Sequence, residues 1–402
     1  MKKYKEGLVV GPSLATLIPS KTERIFSCGP FGKVSKWSYL EGWCVLLSRK
    51  AYLEVGGFDE QFNPYLSEDA DLCFLLKRKG YKLKQVFNLP VIHYGSKTLN
   101  LENSQRVKAT SADHNKILYE KWFPKKINSI LLKRRGARGD VLLTTPIIKQ
   151  LKKENPKAKI TYLTECPEML EGNFHVDAIV DRIPEDTGAF DKVYDLKYER
   201  AGHSNYIDEM AKCAEVNIKD RKLEFNIPKE KVVKAKRLLK DLKGLKIAFH
   251  IGKTWKSREW EVEKFLAVGK YLVKHGHSIL ECGDKNTPFL GLGKDCRKLT
   301  ISETAAVLAQ ADIVVGIDSL VIHIAAAVNT PVIVIYGCTL PEIVWSEGRH
   351  YPVSVKDLPC AGCRHKQGGV FTDCKTKDYR CLKEITVSMV VLKIEQAIKE
   401  LP

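Results

Sequence analysis

The sequence predicts an α/β protein built mainly from two doubly wound, Rossmann-like parallel-sheet domains that face each other. Three observations lead to this. Residues 127–147, INSILLKRRGARGDVLLTTPI, pass from an apolar, β-prone stretch through a basic loop with two glycines into helical spacing. The chain then alternates helix and strand with the rhythm of βαβ units, which predicts a parallel sheet. A second alternating series starts at Leu245 after a charged helical stretch, so the boundary falls near 228–244. Two such domains leave a cleft at the carboxyl ends of their strands, where open α/β sheets bind ligands.

In the first series the expected strands are Ile130–Leu132, Lys159–Leu163, Ala178–Val180 and Lys192–Asp195. Helical spacing from Val141 continues through Leu151, with helices expected over Thr144–Lys153 and Asn205–Glu215. The strand-to-helix loop holds Gly136, Arg138 and Gly139. It turns unpaired backbone N–H groups and a positive helix end toward a ligand, and the glycines permit close approach. Asp140, at the helix start, reads either as an N-cap or as a catalytic carboxylate. After the charged helix Lys229–Lys243, the second series opens with strand 245–250 and the loop HIGKTWKSREW, before a helix starting around Glu261. Thr254, Lys256 and Arg258 on that loop suit a diphosphate. The apolar run 311–317 reads as a buried strand followed by DSLVIHIAAA. There Asp318 and Ser319 can cap the helix, with His323 near its first turn; the alternative is a core helix with a satisfied histidine. An amphipathic helix after Val387 closes the chain.

Composition narrows the function classes. Apolar residues make up 44% and charged residues 28% of 402, as in a soluble globular protein long enough for two or three domains. No apolar run of membrane-spanning or signal-peptide length occurs, which predicts a cytoplasmic protein whose twelve cysteines are mostly reduced thiols. The net charge is +18, and residues 1–126 hold 21 Lys and Arg against 12 Asp and Glu. No nucleic-acid-binding motif accompanies these cations, so an anionic membrane surface is the expected partner and nucleic acid is not.

Residues 39–96 carry the pattern YLEGWCVLLSRKAYLEVGGFDEQF, the acidic run Glu68-Asp69-Ala70-Asp71, Gly80-Tyr81 and His93. This resembles the acceptor-side half of family 2 glycosyltransferases, which have the GT-A fold. The resemblance implies a general base at Asp69 and a metal-binding role for His93. The nucleotide-binding half of that fold is missing, so residues 1–98 read as an incomplete, vestigial fragment, structural rather than catalytic. Residues 99–126 carry helical spacing and read as a helical linker without chemistry.

Residues 127–400 resemble family 9 glycosyltransferases, the heptosyltransferases and their relatives, which adopt the GT-B fold. Four segments carry the resemblance in order: GARGDVLLTTPII at 136–148, HIGKTWKSREW at 250–260, the strand with DSLVIHIAAA at 311–327, and TPVIVIYGCTLPE at 330–342. The domains are then 127–243 for the acceptor and 244–402 for the nucleotide-sugar donor. The resemblance implies an inverting, metal-independent transfer from a donor such as ADP-heptose to a lipid-linked or other glycan acceptor, at the inner face of the cytoplasmic membrane. Asp140 would be the base, and the loop ending at Arg258 with the Asp318-Ser319 helix start would hold the diphosphate. Two departures stand out: Arg258 replaces the family's lysine and Leu320 a glycine, so donor identity and full activity stay open. A catalytically inactive scaffold that binds a partner enzyme, and a family 2-type transferase completed by another chain, are the alternatives. Cys360, Cys363, Cys374 and Cys381 can close a structural zinc site, with free thiols or a disulfide as the other readings.

Overall fold

In the computed structural model, which describes residues 8–11, 14–17, 24–26, 38–42, 44–63, 67–86, 104–122, 127–182, 187–199, 204–252, 255–355, 357–366, 373–374 and 376–401, the chain divides at Lys126 into two compact units. The first unit holds strands β1 (Leu8–Gly11), β2 (Leu14–Leu17), β3 (Arg24–Phe26), β4 (Ser38–Leu40) and β5 (Lys82–Gln85). β1 pairs with β5 in parallel, and β2 lies antiparallel between β3 and β4. Its core gathers Tyr39, Leu40, Phe62, Ala70, Leu72, Phe74 and Leu76. Among the described residues after Gly42, residues 44–47 form no strand beyond a single bridge at Leu46, which is 72% exposed. The segment expected to be a linker is helical over Ser104–Trp122 and belongs to this unit's core. Leu118 is buried, and Lys121 and the Trp122 indole both donate to the fully buried Asp71, at 2.8 and 2.6 Å. That carboxylate at a helix start demands partners, since an unpaired buried charge is costly.

The second unit contains two parallel sheets. The first has the order β8-β7-β6-β9, with β6 at Ser129–Lys133, β7 at Lys159–Leu163, β8 at Ala178–Val180 and β9 at Lys192–Asp195. The second has the order β12-β11-β10-β13-β14-β15, with β10 at Lys246–His250, β11 at Ser278–Cys282, β12 at Lys294–Cys296, β13 at Ile313–Ile317, β14 at Val332–Ile335 and β15 at His350–Val353. In both, the central strand is followed by the loop that the sequence marked out: β6 by 134–137 and β13 by Asp318-Ser319.

Alternation along the strands decides which face packs where. Ile247 and Phe249 of β10, Ile313, Val315 and Ile317 of β13 and Ile333 and Ile335 of β14 point one way, into a core shared with helices Val262–Lys274 and Val387–Lys399. Ala248, Val314, Val332 and Val334 point the other way, into an apolar cluster continuous with the first sheet and its helices. The two sheets therefore belong to one packed body that brings their strand ends together.

The helix expected to run unbroken past Leu143 is two helices, Arg138–Leu142 and Thr145–Glu154. Pro146 stands at the start of the second, where its missing N–H is tolerated, whereas inside a continuous helix its ring would strike the carbonyl of Leu142. The hydroxyls of Thr144 and Thr145 donate to the carbonyls of Val141 and Leu142, at 2.7 and 2.9 Å, and satisfy the broken ladder.

Candidate active site

A cavity of about 530 Å³ lies between the loops at the carboxyl ends of β6, β10 and β13. From the first sheet come Gly136, Arg138, Gly139 and Asp140; from the second come Trp255, Arg258, Asp318, Ser319, Leu320 and His323. Gly136 has φ of 122°, a conformation that side chains strain to adopt, and it sits beside the Asp140 carboxylate.

Asp140 is the third residue of its helix and does not cap it; Ala137 holds the N-cap position without a side-chain bond. The N-cap reading of Asp140 therefore fails, because its carboxylate is drawn sideways. Arg134 donates to Oδ2 at 2.8 Å and the Tyr198 hydroxyl to Oδ1 at 2.9 Å. Arg134 is 4% exposed, with its other contacts on the Leu196 carbonyl and the exposed Glu199. Tyr198 is clamped between the Arg134 guanidinium, 4.6 Å from its centroid, and a stacked Tyr206 ring at 3.8 Å. Burial, and then the neighbouring Asp140 charge, push the Tyr198 phenol up, so it stays a donor. A carboxylate held at both oxygens on a cavity wall can accept a proton from a hydroxyl docked there.

Across the cavity stands the N-terminus of the helix Leu320–Ala327. Ser319 occupies the N-cap position in extended conformation, yet its side chain makes no cap bond. Asp318 does not cap either. Its carboxylate accepts from Thr339 at 2.8 Å and faces Arg258 at 3.4 Å. Both expected caps are thus absent, because the buried ion pair holds Asp318 away from the helix. Burial works to raise the Asp318 carboxyl, but Arg258, His323 and Thr339 outweigh it and keep it below the usual range. His323 is 7% exposed with Nε2 4.0 Å from Asp318, and burial pushes its imidazole below the ordinary value, toward the neutral form. Ser319 Oγ, His323 Nδ1 and Arg258 Nε are buried without a hydrogen-bond partner. Three such atoms at one helix N-terminus are an arrangement that can receive an anion. Leu320 is the first residue of that helix and lines the cavity.

Other expectations fall elsewhere. Lys256 is exposed, outside the cavity wall, with its ammonium 5.2 Å from the Tyr379 ring centroid. A short 3-10 turn over Lys256–Arg258 sends Arg258 inward and leaves Lys256 outward. Thr254 and His93 lie outside the described residues. Asp69 accepts the N–H of Gly42 at 3.0 Å and of Ala70 at 2.7 Å, a latch between loop and helix. The described cysteines are free thiols. Cys360, Cys363, Cys374 and Cys381 share one pocket of about 40 Å³ with Cys338, and burial, then the neighbouring cysteines, push Cys381 up to about 12. Among the described residues no three His, Cys, Asp or Glu side chains are gathered as a metal shell. Cys374 turns instead toward Thr376 at 3.3 Å and Asp378 at 3.8 Å. Sequence reasoning missed Tyr198, Tyr206, Trp255 and Arg364 as wall residues. Arg364 had one signal, a basic pair directly after Cys363.

Residues 203–370 match glycosyltransferase family 9 (heptosyltransferase). No curated protein matches the chain. Among solved structures, a family 9 glycosyl transferase from Veillonella parvula is similar with a TM-score of 0.56 at 16% identity, covering 68% of this chain and 98% of its own. The ADP-heptose lps heptosyltransferase II of E. coli gives 0.53 at 13% identity, covering 68% and 99%. The iron-containing dodecameric glycosyltransferase TibC of enterotoxigenic E. coli gives 0.54 at 15%, covering 69% and 77%. At these identities the structures establish the fold, two Rossmann-like domains of the GT-B type. The match over residues 203–370 and this shared fold support a glycosyltransferase.

Proposed function

We propose, with a family 9 glycosyltransferase domain as the premise, that this chain moves a heptose-like sugar from a nucleotide-diphosphate donor to a glycan or lipid-linked acceptor by a single inverting displacement. The observation that carries the reading is the set of three unpartnered buried atoms, on Ser319, His323 and Arg258, at one helix N-terminus, across the same cavity from Asp140. The leaving diphosphate would sit in that cradle, where the helix dipole and a guanidinium offset its growing charge. With that charge offset by protein groups, the step needs no divalent ion. Asp140 would accept the acceptor's proton as the new bond forms, with Arg138, Gly136 and Gly139 lining the acceptor side. Two of the similar structures are described by ADP-heptose, which supports a donor of that type.

Among the described residues no helix is long and apolar enough to cross a membrane. The basic surface would hold the enzyme at an anionic leaflet, beside a lipid-linked acceptor. Residues 1–98 would be a vestigial family 2 fragment, since both oxygens of Asp69 serve backbone N–H groups. Cys360, Cys363, Cys374 and Cys381 share a pocket, but among the described residues they are not gathered as a metal shell, so no structural metal is proposed for them.

One observation favours a second reading. Leu320 projects a side chain at the helix start that would meet the phosphates, which suits an inactive, scaffolding relative. A thermal-shift series with nucleoside diphosphates separates the two. Ligand at 100 times its Kd adds about 2.7 kcal/mol to the folded state, so ADP should raise the melting point. A chain indifferent to every nucleotide would be the scaffold.

A further inference from the structure

The helix Lys229–Leu239 and the turn after it connect the two sheets of the second unit. Ala235 and Leu239 bury its inner face in the apolar cluster that joins those sheets. Lys231 and Lys234 both reach Glu303 of the helix Ile301–Leu308, at 3.3 and 2.6 Å. The helical repeat puts Lys229, Val233, Lys236, Arg237 and Lys240 together on the opposite face, and all five are exposed. Glu230 and Asp241 fall only at the edges of that face.

The cations on that face have no acid of their own. Among the described residues the side chains of Lys229, Lys236, Arg237 and Lys240 form no ion pair or hydrogen bond, whereas Lys149, Lys152, Lys192 and Lys212 elsewhere on this unit each meet a carboxylate. The negative end of a helix favours a cation or two in the last turn, but it gives no reason for Lys229 at the positive end of the same face. The basic surface also continues past the helix. The Ser278 hydroxyl donates to the Lys243 carbonyl at 2.7 Å, and Gly244 lies against the Gly276 carbonyl with no room for a side chain. That contact sets Lys243 beside the end of the helix Val262–Lys274, whose last two turns expose Lys270, Val273 and Lys274. Each helix therefore shows one apolar side chain among its lysines: Val233 is 67% exposed and Val273 44%.

Resting on the reading that the enzyme works at an anionic leaflet, we infer that this face, Lys229 to Lys243 with Lys270 and Lys274 beside it, is the surface that seats the chain on the bilayer. A cluster of cations on an amphipathic helix complements a layer of anionic headgroups. The long basic side chains reach the phosphates while Val233 and Val273 meet the boundary between headgroups and acyl chains. A soluble polyanion gives no reason for exposed valines, and the stretch from Lys229 to Lys243 has no aromatic side chain on which a base could stack.

The test is sedimentation at low ionic strength with vesicles of phosphatidylglycerol and phosphatidylcholine in equal parts, against phosphatidylcholine alone. It compares the full chain, a variant combining Lys236→Gln, Arg237→Gln and Lys240→Gln, and a control combining Lys153→Gln, Lys157→Gln and Lys219→Gln, which removes as much charge from exposed positions elsewhere. Glutamine suits a helix about as well as lysine or arginine, so the melting point and ADP affinity should be kept in both. Each cation near an anionic surface strengthens binding about 5-fold, so the first variant should bind the anionic vesicles about 100-fold more weakly and the control nearly as well as the full chain. Val233→Trp adds a local reporter, whose emission should shift to the blue on anionic vesicles and stay unmoved by a single-stranded oligonucleotide at the same salt. Equal losses in the two triple variants, or no blue shift from Val233→Trp, overturn the inference. So does an oligonucleotide that binds the full chain more tightly than the vesicles do and loses that advantage in the first variant, which marks a nucleic-acid surface. A full chain that ignores anionic vesicles removes the leaflet reading, and this inference with it. Loss confined to the first variant supports the seat even in a chain that binds no ADP, a result that would remove only the donor-site reading.

Discussion

Replacing Asp140 by Asn tests the proposed chemistry and the wall that supports it. The substitution keeps the side chain's size and removes its charge and its capacity to take a proton. General-base catalysis contributes about 100- to 10,000-fold, so turnover should fall at least about 100-fold. The geometry adds a second effect. Arg134 is 4% exposed and donates to Oδ2, while Tyr198 donates to Oδ1. An amide offers one acceptor, so whichever way it turns, an N–H₂ group faces a donor. Arg134 keeps the Leu196 carbonyl and an ion pair with Glu199, whose side chain is 51% exposed and well screened. The cost of a weakened bond to a charged group is about 1.5–3 kcal/mol, or several degrees in melting point for a body of this size. Had Asp140 merely capped its helix, Asn would have replaced it without loss. The assay is release of nucleoside diphosphate from a nucleotide sugar in the presence of acceptor, with the melting point and ADP affinity measured alongside. ADP affinity should be kept, because the cradle lies on the opposite wall. Unchanged turnover would refute the assignment of Asp140 as base, and an unchanged melting point would refute the account of Arg134.

Tyr198→Phe keeps the stack on Tyr206 and deletes one bond to Asp140; turnover should fall about 10-fold with ADP affinity intact, and a loss confined to ADP affinity would contradict this. Glu303 completes a capping box with Thr300 and meets Lys234 at 2.6 Å; that lysine first, then the Thr300 N–H, hold its carboxyl down at about 2. Since the folded value lies below the ordinary 4.5, its stabilisation is present above about pH 4.5 and fades as pH falls toward 2. Glu303→Gln should therefore cost about 1 kcal/mol at pH 7, with a melting-point gap to wild type that closes in acid; a gap independent of pH would count against the ion pair. Asp69→Ala should leave sugar transfer untouched, whereas manganese-dependent turnover that this variant abolishes would make the first unit catalytic. The chain should sediment with anionic vesicles at low ionic strength and leave them at roughly half-molar salt, where screening cuts the Debye length to a few ångströms; binding that resists salt would indicate apolar anchoring.

Two residues show what was legible in the sequence and what was not. Asp140 and Asp318 could be found because each lies in the junction between an apolar strand run and a helix, Asp318 directly after its strand and Asp140 in the first turn of the helix after the loop, a local pattern that places a residue near the carboxyl edge of a parallel sheet. Their caps were misread for the same local reason, since each carboxylate was free in sequence to turn to its own helix. Tyr198 and Arg364 lie on segments without strong periodicity, and Tyr206 opens a helix whose spacing is legible, but nothing in the sequence announces that these residues meet.

The sequence by itself determined that there are two parallel sheets, the strands of the first, the strands near 245–250 and 311–317 of the second, and the loops that follow them. Those follow from period-2 and period-3.6 burial and from where Gly and Pro interrupt it. Only the tertiary structure decided which charges pair. A buried arginine such as Arg134 or Arg258 takes the carboxylate that packing brings within reach, because leaving a buried charge alone costs more than leaving a helix end uncapped. It also decided that the cysteine-rich segment reaches the cleft, through contacts between residues as far apart in sequence as Tyr206 and His365.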